Sequence, residues 1–189
     1  MKKSLWGVVL IAAFGIALSA KAQDESPKVE LYAGYDYVRF NVTAKVTGFP
    51  PSQSFNANGG GGQLEYNPNN WLGIVGDLSG YGVLGSNSQL AAGAFSYLLG
   101  PRINLGHGKV TPFTQVLLGG IWATSGIGGG GSESHFAMTV GGGVDFKVSR
   151  VIAIRLAQAE YFMTRFPDGL NNRQNNFRFS TGIVFRFGG

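Results

Sequence analysis

Two histidines, His107 and His135, are the side chains of this sequence that could serve as a general base near neutral pH. His135 follows directly on Ser132, Glu133 and Ser134, so a nucleophile, a carboxylate and a base fall within four consecutive positions. A Ser–His–Glu group of that kind could cleave an ester or a lipid. The four glycines at 128–131 adjoin it, however, and a flexible run cannot hold a catalytic geometry without packing behind it. His107 stands between Gly106 and Gly108 and reads as a solvated turn residue. The chain has no Cys, two distant His and scattered carboxylates, which is not a metal-ligand spacing. The glycine runs 59–62 and 128–131 are followed by no Lys-Ser/Thr pair and by no helix pattern, so they are not phosphate loops. The sequence therefore predicts neither an enzyme nor a cofactor or metal site.

The elements that carry these residues begin after a leader. Lys2 and Lys3 precede an apolar run over 5–18, and Ala20-Lys21-Ala22 places small residues at both cleavage positions. Residues 1–22 thus read as an export signal, with 23–189 as a single mature domain. The run is shorter than the roughly 20 apolar residues of a membrane anchor. With no Cys, neither lipoprotein attachment nor a disulfide is available. Asn41-Val42-Thr43 matches a glycosylation acceptor, which a bacterial-type leader makes irrelevant. Removing Lys2, Lys3 and Lys21 leaves 12 basic against 10 acidic residues, so the high pI is no sign of nucleic-acid binding.

Past the leader the dominant signal is a period of two. It is clearest at 175–187, NNFRFSTGIVFRF, where Phe177, Phe179, Thr181, Ile183, Phe185 and Phe187 share one parity. Arg178, Ser180, Gly182, Val184 and Arg186 share the other. A strand with one aromatic-tipped apolar face suits a bilayer crossing with an aromatic girdle at each interface. Eight such runs occur, near 28–40, 57–67, 71–81, 91–104, 109–122, 135–147, 151–164 and 175–187. Short turns at 68–70, 106–108 and 149–150 alternate with longer connections at 41–56, 82–90, 123–134 and 165–174. An even number of strands, each long enough to cross at a tilt, predicts an eight-stranded antiparallel transmembrane β-barrel. Both termini and the short turns would face the periplasm, and the four long loops would face outward. A soluble calyx of lipocalin type also uses eight strands, but it should bury its apolar face rather than present it.

A charge facing lipid near the midplane costs about 2–4 kcal/mol for Arg or Lys, so the charged parity is placed inward. This rule sends Glu30, Asp36, Glu65, Asp77, Arg102, Asp145, Arg155, Arg178 and Arg186 into the barrel, together with Gln63. Strand direction puts Glu30, Glu65, Arg102, Asp145, Arg155 and Arg186 in the periplasmic half. Closure of the first run on the last suggests Glu30 with Arg186 and Asp36 with Arg178, since unpaired buried charges are costly. The seventh run breaks the rule: Arg155 and the pair Gln158/Glu160 fall on opposite parities. Either a bulge near Ala157 resets the register, or Gln158 and Glu160 reach the headgroups; the bulge is favoured. Inward glycines at 34, 61, 141, 143 and 182 leave room in the lumen or permit strong coiling.

From 28 to 187 the chain resembles the OmpA-like family of small eight-stranded outer-membrane barrels. Its end also resembles the signal read by the outer-membrane barrel assembly machinery: polar, any, Gly, two of any, aromatic, any, aromatic. Ser180, Gly182, Phe185 and Phe187 fill those places, although Gly188 and Gly189 follow where the family usually stops. The resemblance implies an outer-membrane protein of structural, adhesive or porin-like kind, without a peptidoglycan-binding domain. The expected partners are outer-membrane lipid, the assembly machinery with its periplasmic chaperones, and an extracellular ligand at the loops, for a monomer that binds no nucleic acid. A structural or surface-interaction role leads; a narrow porin-like channel for ions or small solutes is the alternative that the inward glycines suggest.

Overall fold

The computed structural model of the chain describes residues 27–42, 53–84, 90–106, 108–125, 132–166 and 172–188. The leader, His107 and the 128–131 glycines lie outside them.

Eight strands follow one another: β1 (Val29–Val42), β2 (Gln53–Tyr66), β3 (Leu72–Leu84), β4 (Leu90–Asn104), β5 (Val110–Ser125), β6 (Ser132–Lys147), β7 (Ile152–Thr164) and β8 (Gln174–Phe187). Each pairs antiparallel with the next, and β8 pairs with β1 from Val29↔Phe187 to Arg39↔Phe177, closing the barrel. Closure leaves no free edge, so the strands satisfy one another's backbone groups.

At the end carrying the short turns, the strands stop close to where the alternation stops. Side chains make those turns tight: Asn69 Oδ1 accepts from the backbone N–H groups of Trp71 and Leu72 at 3.1 and 2.9 Å. Ser149 Oγ accepts from those of Val151 and Ile152 at 3.3 and 3.1 Å. At the opposite end the strands run further than the apolar pattern, taking in parts of the segments expected as loops. Pairing reaches Val42↔Gln53 between β1 and β2, and Thr124↔Ser132 between β5 and β6. Polar cross-strand contacts carry this extension, with Tyr37 donating to Asn56 at 2.9 Å and Arg39 to Ser54 at 3.0 Å. A hydropathy pattern ends at the apolar layer, whereas hydrogen-bonded pairing does not.

The outer face is apolar and exposed, with Leu64, Ile74, Leu78, Leu99, Leu118, Ile154 and Ile183 in its middle band. Aromatic residues flank that band, Tyr66, Trp71, Phe185 and Phe187 towards the turns and Tyr35, Phe95, Trp122, Phe136 and Phe177 towards the other end. A calyx would show the reverse polarity. The inner face is layered. Val38, Phe40, Ala57, Val75, Tyr81, Leu98, Leu117, Ile121, Ala137 and Phe162 form an apolar cluster towards the loop end. The charged residues fill the remainder.

The irregularity in β7 is a bulge. Between β6 and β7 the register jumps from Asp145↔Arg155 to Val144↔Ala157, and against β8 from Arg155↔Gly182 to Gln158↔Ser180. Two residues, Leu156 and Ala157, thus stand between inward Arg155 and inward Gln158, and the parity flips. Gln158 and Glu160 are buried at 0% and 1% exposure rather than set against lipid. Thr181 Oγ1 donates to the carbonyl oxygens of Arg155 and Leu156 at 2.9 and 3.4 Å, satisfying backbone that the bulge leaves over. Deleting Ala157 should turn Gln158 and Glu160 onto the lipid face and abolish the heat-modifiable folded band on an unheated gel. Thr181→Val should keep that band and lower unfolding stability in micelles by about 1 kcal/mol.

Candidate functional site

The inward parity of β2, β3, β4, β5, β6, β7 and β8 delivers one connected polar network. Three arginines anchor it, and all are buried: Arg102 at 1%, Arg155 and Arg178 at 0% exposure. Arg102 on β4 donates to Glu65 at 2.5 Å, to Gln63 at 2.6 Å and to Gln115 at 2.6 and 2.9 Å. Arg155 on β7 grips Asp145 with two bonds of 2.8 and 3.0 Å, and reaches Gln63 at 2.6 Å and Gln158 at 2.8 Å. Arg178 on β8 donates to Glu160 at 2.6 Å, to Asp77 at 3.0 and 3.2 Å and to Tyr81 at 3.1 Å.

Glutamines join these three centres into one. Gln63 Oε1 accepts from both Arg102 and Arg155 while its amide donates to Asp77 at 2.8 Å. Gln115 accepts from Arg102 and donates to Glu160 at 2.8 Å. Gln158 accepts from Arg155 and donates to Glu160 at 2.9 Å. An amide can accept from a cation and donate to an anion, so it spaces like charges without leaving either unsatisfied. Aromatic faces cover what remains of the guanidinium planes. Phe113 lies under Arg102 and Arg155, at 4.1 and 4.6 Å from its centroid, and Tyr32 under Arg155 at 4.4 Å.

Glu30 and Arg186 meet at 3.0 Å as expected, half-buried at the turn end. Asp36 and Arg178 do not pair. The register places Arg178 opposite Val38 and Asp36 opposite Ser180, and Arg178 turns across the lumen to Asp77 on β3. Asp36 is 2% exposed and its Oδ2 has no hydrogen bond. Gln115 and Glu160 are members that the sequence reading did not assign. Gln115 was legible as the polar residue on the inward parity of β5, between Phe113 and Leu117. Glu160 needed the bulge to be fixed first.

The inward glycines leave no channel. A Cβ on Gly61 would collide with Asp36 and Ser79, on Gly73 with Glu65 and Asn67, and on Gly141 with Glu160 and the β7 backbone. On Gly143 it would come within 2.7 Å of the Phe113 ring. Each glycine is the seat of a neighbour's side chain, so small residues here mean a filled lumen. The Ser–His–Glu group does not assemble either. His135 faces inward, bonded to Glu133 at 3.0 Å and packed on Phe166 at 4.7 Å. Ser132 and Ser134 fall on the outward parity, where Ser134 meets the Tyr97 hydroxyl at 3.2 Å. Among the described residues no cluster of His, Cys, Asp and Glu could hold a metal ion. Ser180 is buried on the inner face beside Gly182, and Phe185 and Phe187 lie exposed on the outer one.

Arg178→Met should leave Asp77 and Glu160 facing each other uncompensated and cost about 3–5 kcal/mol. Arg186→Ala breaks a pair at the water-facing end and should cost no more than about 1 kcal/mol. Unfolding by denaturant in micelles would read both; equal losses would contradict the layering of the interior.

Solved barrels share this architecture. Neisserial surface protein A (NspA) superposes with a TM-score of 0.64 at 16% identity, over 83% of this chain and 97% of that one. Ail, the attachment invasion locus protein of Yersinia pestis, does so with a TM-score of 0.57 at 19% identity, over 86% and 99%. The outer membrane protein OprG of Pseudomonas aeruginosa gives 0.52 at 11% identity, over 87% and 98%. No curated protein matches the sequence. The family model described as outer membrane protein beta-barrel domain matches residues 8–187, nearly the whole chain. Together with the closed eight-stranded barrel and its apolar outer face, this match makes the chain a member of the outer membrane protein β-barrel domain family.

Proposed function

We propose that this outer-membrane barrel is a closed, non-catalytic scaffold whose activity is exerted at the outer surface, through four extracellular loops that meet a ligand. The observation that carries this reading is the interior itself. Arg102, Arg155 and Arg178 are buried to 1% exposure or less, and an apolar cluster around Phe40, Tyr81 and Phe162 lies between them and the loop end. A conducting pore needs water along its length, and charged groups this dry do not line one. The attachment protein Ail and the surface protein NspA, which share the fold, favour a surface role. The narrow porin-like alternative drew on the inward glycines, whose places neighbouring side chains take.

In the same reading, residues 1–22 direct export and are removed, and periplasmic chaperones hand the chain to the barrel assembly machinery. That machinery reads Ser180, Gly182, Phe185 and Phe187. The finished barrel is a monomer in contact with outer-membrane lipid, with the short turns in the periplasm. Planar-bilayer recording of the refolded chain should show no conductance or rare flickers, in wild type and in Glu30→Ala/Arg186→Ala alike. A steady open level that shifts on removing this pair would give the lead to the channel reading.

A further inference from the structure

The seam where the last strand meets the first differs from the rest of the inner wall. Gly34 on β1 and Gly182 on β8 are direct partners, so a glycine faces a glycine across the closing pair. Their neighbours on the same face, Glu30↔Arg186, Tyr32↔Val184, Asp36↔Ser180 and Val38↔Arg178, all carry side chains. The backbones approach so closely here that a Cβ on Gly182 would strike the Ala33 carbonyl and Gly34 Cα, and one on Gly34 the Thr181 carbonyl. The Tyr32 ring fills the place of both missing side chains. A Cβ on Gly34 would come within 2.6 Å of its Cζ, and one on Gly182 within 2.8 Å of its Cε2. Its hydroxyl donates across the seam to the Thr181 carbonyl at 3.1 Å. The Arg155 guanidinium packs on the ring at 4.4 Å from its centroid and so ties it to the charge network.

We infer that Tyr32, Gly34 and Gly182 form a latch that closes the barrel: the ring of the first strand seats in a slot that exists only because both seam positions lack a side chain. Gly182 then acts at closure, through β1, and its requirement is independent of any factor that reads the C-terminal segment. The latch stands on the seam geometry alone, whether or not the barrel conducts or binds a ligand. It also fixes the register, because a shift by one residue would set Tyr32 on the lipid face and a shift by two would place the slot opposite a side chain.

The test is refolding of the full chain from denaturant into detergent micelles with no assembly factor present. The chain has no cysteine, so introduced pairs report strand contacts cleanly. Tyr37→Cys with Phe179→Cys spans the seam, and Leu99→Cys with Leu118→Cys spans β4 and β5 as a control. Gly182→Ala and Tyr32→Ala should slow disulfide trapping at the seam by about tenfold while the control pair forms at the wild-type rate. Tyr32→Phe, which keeps the ring, should close nearly as wild type. Gly80→Ala, at a position with nothing within 4 Å of a Cβ, should change neither pair. Tyr32→Ala adds no atom and so remains informative if Gly182→Ala does not fold. The inference is overturned if Tyr32→Ala closes at the wild-type rate, or if seam and control pairs are lost together. It is equally overturned if Gly182→Ala refolds normally in micelles and fails only when the assembly machinery inserts it.

Discussion

The structure depends on the need to keep charge out of lipid in a chain that must nevertheless fill a narrow lumen. Every strand has two faces, and the bilayer claims one of them for apolar side chains. The charged residues are left with the other, where water is excluded as well. Charge on the inside is therefore tolerable only if each guanidinium finds carboxylates, amides and aromatic faces at close range. Arg102, Arg155 and Arg178 meet that condition with bonds of 2.5–3.2 Å to partners on six other strands' inner faces or their own neighbours. Three buried glutamines make the arrangement continuous, since pairs alone would leave like charges side by side.

Glycine is the second half of the same constraint. Bulky ionic side chains cannot all fit inside eight strands, so space is taken from the wall. Gly61 yields its place to Asp36 and Ser79, Gly141 to Glu160 and Gly143 to Phe113. At the closing seam Gly34 and Gly182 yield theirs to Tyr32, which the packing of Arg155 then holds. Glycines that look like vacancies in a sequence are sockets in the folded wall, and the same feature that hinted at a pore is what seals it. The β7 bulge belongs to this economy: by turning Gln158 and Glu160 inward it supplies Arg178 and Gln115 with their partner.

Membership in the outer membrane protein β-barrel domain family, with several solved barrels sharing the fold at under 20% identity, accords with this division of labour. Lipid and lumen constrain strands by polarity and volume rather than by residue identity. The architecture can thus persist while particular side chains change.

The sequence by itself determined the strand number, the face each strand shows to lipid and the need for a break near Ala157. These follow from a period of two and the cost of charge in lipid, both local to one strand. The Glu30–Arg186 pair was legible for a related reason, because the two residues are direct partners once the first and last strands close. Only the tertiary structure decided that Arg178 meets Asp77 and Glu160 instead of Asp36, and that Gln63 and Gln115 tie the network together. It alone also decided that the inward glycines are occupied. The physical reason is reach. Alternation fixes the direction in which a side chain points, but a long side chain crossing a narrow lumen chooses among all the facing strands. That choice is made by the register of the whole closed wall.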